Sequence, residues 1–311
     1  MTLDELIDRV SAEVARVVVG QHGKIEALLI GLAVRGHVLL EGPPGVAKTL
    51  TAAAVARTLG VDFARVQFTP DMLPSDLTGT MTLRGGELQF RPGPVFTNVL
   101  LADEINRTPP KTQAALLELM QERQVSVEGS PRGLDDPFLV VATQNPLEYE
   151  GTYPLPEAQL DRFALKIDVG YPSAEEERRV LELGRDGIES MPLSELGAVA
   201  SAADVAAVRA EVDSTIVSDE LASYTVAVVR RTRELPSVVL GASPRAAVHL
   251  ITVARAAARV AGREFVVPDD VIRYAPAVLA HRLVLSPEAS LERYGPGQAI
   301  ESALSAVPVP K

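Results

Sequence analysis

The sequence of 311 residues has no cysteine and no tryptophan, and aromatic residues make up only 4% of it. Without cysteine there is no disulfide, no thiolate zinc site and no cysteine nucleophile, a composition compatible with a reducing compartment. Four histidines, His22, His37, His249 and His281, stand far apart without ligand spacing and are expected to be structural. No apolar run reaches the roughly 18 residues that a membrane span needs, so none is expected. The opening Met1-Thr2-Leu3-Asp4-Glu5-Leu6-Ile7-Asp8-Arg9-Val10 is acidic and amphipathic rather than basic and then apolar. It predicts no secretory leader and a cytoplasmic location. Positive charge is also scarce: Lys and Arg total 30 against 41 Asp and Glu, a net charge of -11. With few aromatic rings to stack on bases, that balance argues against a nucleic-acid partner. The remainder, 47% apolar and 23% charged, is that of a globular protein, and the length suggests two domains.

The first half alternates short apolar runs with helical periodicity, the pattern of a mainly parallel sheet carrying helices on both faces. Segments 38–40, 64–68, 99–102, 139–143 and 167–169 read as buried strands. Helices are expected over 49–59 and 110–122, the second with Ala114, Leu117 and Met120 at helical spacing. Two hairpins interrupt this alternation. One is centred on Gly85-Gly86; the other spans 124–136 with its turn near Gly129-Ser130-Pro131. Beyond Gly170-Tyr171-Pro172 the chain turns rich in alanine and valine and loses its strand signal. An α/β domain over 1–172, a linker over 173–190 and an all-helical domain over 191–311 are therefore expected. Ser243-Pro244 supplies a cap and a first-turn proline for a long helix through Val260, and a further helix is expected over 268–281.

Gly42-Pro43-Pro44-Gly45-Val46-Ala47-Lys48-Thr49 joins the first strand to a helix that opens with Leu50. Glycines let backbone N–H groups curl around a phosphate chain, and the helix N-terminus faces the same anion. Lys48 is expected to reach the terminal phosphates, and Thr49 to sit on magnesium. The pattern has glycine before the lysine where this chain has Ala47. A methyl group is tolerated there if the residue has helical dihedrals, since only a positive φ strictly needs glycine. The strand over 99–102 runs into Asp103-Glu104. In a parallel sheet, strand C-termini converge on the ligand crevice, so Asp103 is expected at the magnesium and Glu104 at the attacking water. Adjacent acids alone would equally suit a solvated loop; the phosphate loop about sixty residues earlier favours the catalytic reading. Asn145, after the strand over 139–143, offers a donor and an acceptor to phosphate and water, or else starts a turn before Pro146. Arg162 and Arg245 suit the charge of a transferring phosphoryl group, and would equally serve as surface ion-pair partners.

Together these residues resemble the AAA+ ATPases, and within them the MoxR family, over nearly the whole chain. Gly42 to Thr49 resembles the Walker A loop and Leu100 to Glu104 the Walker B strand, while Asn145 falls at the sensor 1 position. Val17-Val18-Val19-Gly20-Gln21 resembles the adenine-side segment. Family wording recurs in Gln67-Phe68-Thr69-Pro70-Asp71-Met72-Leu73-Pro74-Ser75-Asp76-Leu77-Thr78-Gly79, in Asp103-Glu104-Ile105-Asn106-Arg107 and in Gly151-Thr152-Tyr153-Pro154-Leu155-Pro156-Glu157-Ala158-Gln159. The resemblance implies ATP and Mg2+ as cofactors. Its nucleotide would be bound by Val19, Gly20 and Gln21, and by Gly42, Pro43, Pro44, Gly45, Val46, Ala47, Lys48, Thr49 and Leu50. Arg162 would be an arginine finger acting on a neighbouring subunit's nucleotide, with Arg107 as its rival. Arg245 would be sensor 2, acting from a helical lid on its own subunit's nucleotide. The hairpins would be the helix-2 and presensor-1 inserts. The resemblance further implies a homo-oligomeric, hexameric ring that remodels client proteins, beside a partner bearing a von Willebrand factor A domain. A nucleotide-gated binding module without turnover, a P-loop kinase and a nucleic-acid motor share parts of this pattern.

Overall fold

The computed structural model describes residues 1–127, 129–146, 151–182 and 193–310. In chain order the first nine strands are β1 (Val38–Glu41), β2 (Phe63–Gln67), β3 (Gly79–Arg84), β4 (Glu87–Pro92), β5 (Val99–Asp103), β6 (Gln124–Val127), β7 (Ser130–Gly133), β8 (Leu139–Gln144) and β9 (Leu165–Asp168). Five of them form the central sheet in the order β2-β5-β8-β1-β9, with every neighbouring pair parallel. β9 begins two residues earlier than the apolar run suggested, because Leu165 pairs with Val38.

A parallel sheet is covered on both faces, and alternation along each strand divides its side chains between two cores. Val38, Leu40, Val99, Leu101, Leu139 and Val141 belong to one apolar cluster. Leu39, Leu100, Ala102, Val140 and Ala142 belong to the other. The first face is covered by helices Leu3–Val14, His22–Ala33 and Lys48–Thr58, whose apolar stripes continue into the C-terminal helices. Helix Pro110–Glu122 covers the second face with Leu116, Leu117, Leu119 and Met120, at the bounds its periodicity predicts.

β3 and β4 form an antiparallel hairpin turning on Gly85 (φ 60°) and Gly86 (φ 88°), the conformation that a two-residue hairpin turn requires. In the second hairpin Val127 pairs with Ser130, so Ser130 and Pro131, expected in the turn, lie in β7. Part of the expected linker is helix Ala174–Glu182, rich in Glu and Arg, and its remainder, 183–190, lies outside the described residues.

The C-terminal part is built from helices Ala202–Asp213, Asp219–Arg231, Pro244–Val260, Pro268–Leu279, Pro287–Leu291 and Pro296–Ala306. Ser201, Ser218, Ser243 and Ser286 each cap one of them, accepting a backbone N–H three residues on. Such caps contribute about 1 kcal/mol apiece. The helix expected to end at His281 stops at Leu279 and continues as a 3-10 turn through Arg282. A short antiparallel pair, β10 (Val238–Leu240) with β11 (Val284–Leu285), lies among these helices. Among the described residues no helix is long and apolar enough to cross a membrane.

Candidate nucleotide site

β1 feeds directly into the Gly42–Thr49 loop, and the loop into helix Lys48–Thr58, so the helix N-terminus opens on a cavity of about 780 Å³. Pro44, Gly45, Val46, Ala47, Lys48, Thr49 and Leu50 line it, and Gly42 and Pro43 do not. Gly42 is required by packing: a Cβ there would lie 2.1 Å from the carbonyl oxygen of Val169. Gly45 has φ +80°, open to glycine and costly for other residues. Lys48 Nζ donates to Gly42 O at 2.6 Å, folding the ammonium back over the loop. Ala47 corrects an expectation. It has φ 57° and ψ 24°, left-handed rather than helical, so its methyl group occupies the one backbone conformation that glycine would relieve.

The adenine-side segment borders the same cavity through Val19 and Gln21, while Gly20 stands back from it. Gly20 (φ +71°) leaves room for Glu176, whose carboxylate would overlap a Cβ at 2.0 Å. Tyr171, Pro172 and Leu181 close this side with apolar surface, suited to a flat base.

β5 delivers two carboxylates to the opposite wall. Thr49 Oγ1 donates to Asp103 Oδ2 at 3.3 Å, and Thr143 Oγ1, from β8, donates to Asp103 Oδ1 at 2.6 Å. Three elements thus meet on one carboxylate that is 10% exposed. The donor set is one hydroxyl and one carboxylate, without nitrogen or sulfur. It fits magnesium, which takes one or two protein oxygens and completes its shell from phosphates and water. Glu104 is also left-handed, at φ 58°, and its N–H donates to Thr143 Oγ1 at 2.9 Å. Gln67 Nε2 donates to Glu104 Oε2 at 2.6 Å, and Arg107 Nε pairs with the same oxygen at 3.0 Å. Asn145 is buried and lines the cavity.

Two residues of this wall were not among those expected. Arg65 donates through Nε and an η nitrogen to Asp103 Oδ2, at 3.1 and 2.7 Å, and also reaches Gln67 Oε1 at 2.9 Å. Both lie on β2, where Arg65 pairs with Leu101 and Gln67 with Asp103. Their signal was present: two polar residues at i and i+2 share one face, at the strand end where ligands bind.

Arg162 and Arg245 are placed elsewhere. Ala164 N donates to His37 O, so Arg162 sits at the N-terminal ends of β1 and β9. The phosphate loop follows the C-terminal end of β1, about 13 Å away along the strand at 3.3 Å per residue. Arg162 donates to Leu117 O and lines a small cavity of about 130 Å³ together with Arg35, His37, Arg245 and His249. Arg245 therefore corrects a second expectation. Rather than reaching its own chain's nucleotide cavity, it lies beside Arg162 and pairs with Asp161 at 3.8 Å. Arg107, the rival of Arg162, is at the other end of the strands with Glu104.

Residues 37–165 match the ATPase family associated with various cellular activities (AAA), and residues 230–303 match the AAA lid domain. A Bacillus subtilis protein of uncharacterised function, YeaC, is 46% identical over 99% of this chain and 96% of its own. The protein described as Chaperone MoxR1 of Mycobacterium tuberculosis is 46% identical over 98% of this chain and 82% of its own. A crystal structure of a candidate ATPase from Cytophaga hutchinsonii superposes with a TM-score of 0.91 at 44% identity, covering 99% of this chain and 96% of that one. With a P-loop opening on the carboxylates of β5, a helical lid and full-length relatives at this identity, the chain belongs to the MoxR family of AAA+ ATPases.

Proposed function

We propose that the chain hydrolyses ATP to ADP and phosphate in a homo-oligomeric, hexameric ring in the cytoplasm, and uses the cycle to remodel or activate partner proteins. Residues 1–172 serve as the nucleotide-binding unit and 191–311 as the lid. The observation that carries this reading is the 3.3 Å approach of Thr49 Oγ1 to Asp103 Oδ2 inside a nucleotide-sized cavity. Lys48 and the N–H groups of the loop bind the phosphate chain. Thr49 and Asp103 would hold Mg2+, which when bound would offset phosphate charge. Glu104 accepts a proton from the attacking water, and Asn145 orients that water by donating and accepting at once. Gln67 and Arg107 hold the Glu104 carboxylate in place.

Arg162 and Arg245 lie at the far ends of the strands from their own cavity, a placement that supports a role on the nucleotide of a neighbouring subunit. That makes the ring part of the active site. A client-remodelling role is supported by the M. tuberculosis relative described as a chaperone. Family resemblance points to a partner with a von Willebrand factor A domain.

Phosphate release per subunit, measured across a wide range of protein concentration, tests this reading. A rate that climbs steeply and then levels is expected. A substantial rate that stays flat down to concentrations where the protein is monomeric would remove the shared site, and no turnover at any concentration would leave a nucleotide-gated binding module.

A further inference from the structure

Asp161 stands immediately before Arg162, at the C-terminal cap of the four-residue helix Glu157–Leu160. It receives more of the lid than any ordinary surface acid would. Ser243 Oγ is 2.9 Å from both of its carboxylate oxygens, and Arg282 Nε donates to Oδ1 at 2.8 Å. Arg282 is buried, and one η nitrogen also reaches this segment, at 3.2 Å from Asp161 O and 2.5 Å from Phe163 O, while the other donates to Val278 O within the lid. His281 Nε2 approaches the same Phe163 carbonyl at 3.1 Å. Residues 161–163 are therefore gripped by lid groups on either side of the Arg162 side chain.

The other half of the grip is equally specific. Ser243 is the N-cap of helix Pro244–Val260, accepting from Ala246 N while donating to Asp161. One hydroxyl thus fixes the start of the helix that carries Arg245 to the residue that precedes Arg162. Arg282 extends the tie by donating to Nδ1 of His249, one turn further along that helix. A charge-assisted hydrogen bond of this kind is short and directional, so it sets position as well as adding stability.

We propose that Asp161 is a positioning residue for the reaction: through Ser243 and Arg282 it fixes the lid's Arg245 against the core's Arg162, so that the two arginines are presented together to a neighbour's nucleotide. This rests on the role of Arg162 proposed above. A residue acting this way affects the adjacent subunit's turnover and leaves nucleotide binding in its own subunit unchanged.

The test compares Asp161→Asn, Ser243→Ala and Arg162→Ala with Ser218→Ala, which removes a lid cap that does not touch Asp161. Each is assayed for ATP turnover and for binding of a fluorescent ATP analogue, alone and mixed with an excess of Glu104→Gln subunits. The latter are expected to lack turnover and to supply intact arginines. Asp161→Asn and Ser243→Ala should lower kcat at least tenfold, leave analogue affinity within twofold, and recover turnover in the mixture. Ser218→Ala should lose thermal stability comparable to Ser243→Ala yet keep its kcat. The inference is overturned if Asp161→Asn and Ser243→Ala turn over normally, if Ser218→Ala matches their loss, or if Glu104→Gln subunits fail to restore them while restoring Arg162→Ala. An Arg162→Ala ring that hydrolyses normally would instead overturn the role of Arg162 itself.

Discussion

The two ends of the central strands are built on opposite principles. At the C-terminal ends, polar groups meet in an open cavity beside the left-handed Ala47 and Glu104, although left-handed backbone also occurs at the other end, in Arg35 (φ 54°). At the N-terminal ends, ionisable groups are packed away: the lid's Arg282 and His281 are buried, His37 is buried at the start of β1, and Asp161 of the core accepts from Arg282. The first arrangement leaves room for a ligand to supply the missing charge, whereas the second joins lid to core through Asp161 and buried side chains. Side chains at the open end should matter for chemistry and little for stability. Those at the packed end should matter for both.

Glu104→Gln breaks this comparison most sharply if it fails. Turnover should fall by about 10² to 10⁴, the usual contribution of a general base, while ATP affinity and thermal midpoint stay close to those of the parent. Phosphate release beside analogue binding measures both, and equal hydrolysis by the variant would remove Glu104 from the mechanism. Arg162→Ala is next. A trans-acting arginine contributes about 10³ to 10⁵ in rate, so homogeneous rings should be nearly silent.

The open end was legible in the sequence because its chemistry is written in contiguous residues: a loop of fixed spacing, an apolar strand and two acids. Packed-end chemistry is assembled from residues 161, 243, 249 and 282, which no local pattern joins. Arg162 and Arg245 suited an ordinary surface ion pair as well as a phosphoryl group until family likeness chose between the readings, and where Arg245 comes to lie depends on lid placement, a tertiary property. The sheet and helix Pro110–Glu122 were readable from periodicity, whereas strand ends such as Leu165 depended on a neighbour's register. Ala47 misled for a different reason. Its backbone region is set by the turn into the helix, and a methyl group in the sequence says nothing of φ.

Stability sharpens the comparison from the other side. Arg282→Ala should cost about 3–5 kcal/mol, the usual loss when one partner of a buried pair is removed, because Asp161 and the Phe163 carbonyl lose their main donor together. Lys48→Ala, which removes one bond to the loop, should change stability by less than about 0.5 kcal/mol while abolishing ATP binding. Urea denaturation of the two variants separates these cases.

Acid should act on the packed end as well. Burial lowers His37 to about 4, and burial followed by the nearby Arg282 lowers His249 to about 3; His281 is pushed down for the same reasons. Hydrogen bonding agrees, since His37 Nδ1 accepts from Val140 N and His249 Nδ1 accepts from Arg282, which a protonated ring nitrogen could not do. With folded values below the ordinary 6.5, the unfolded chain binds more protons between about pH 3 and 6.5, so stability is complete above that window and declines as pH falls through it. Denaturation midpoints at pH 7.5, 6 and 5 should fall in that order, and His249→Gln should flatten the slope.

The smallest effect tests the strain at the open end. A left-handed alanine costs about 1–2 kcal/mol, and glycine at the same position loses about 0.5–1 kcal/mol more conformational entropy on folding, so Ala47→Gly should gain on the order of 0.5 kcal/mol. The thermal midpoint should rise by about 1–2 °C. Because Ala47 contributes its backbone to the loop and its methyl group to nothing that a phosphate needs, ATP affinity should not change. A lower midpoint would mean that packing around the Ala47 methyl group outweighs the backbone cost. A higher midpoint with slower turnover would mean that the strained loop, like the packed end, sets the position of catalytic groups, and the contrast between the two ends would narrow.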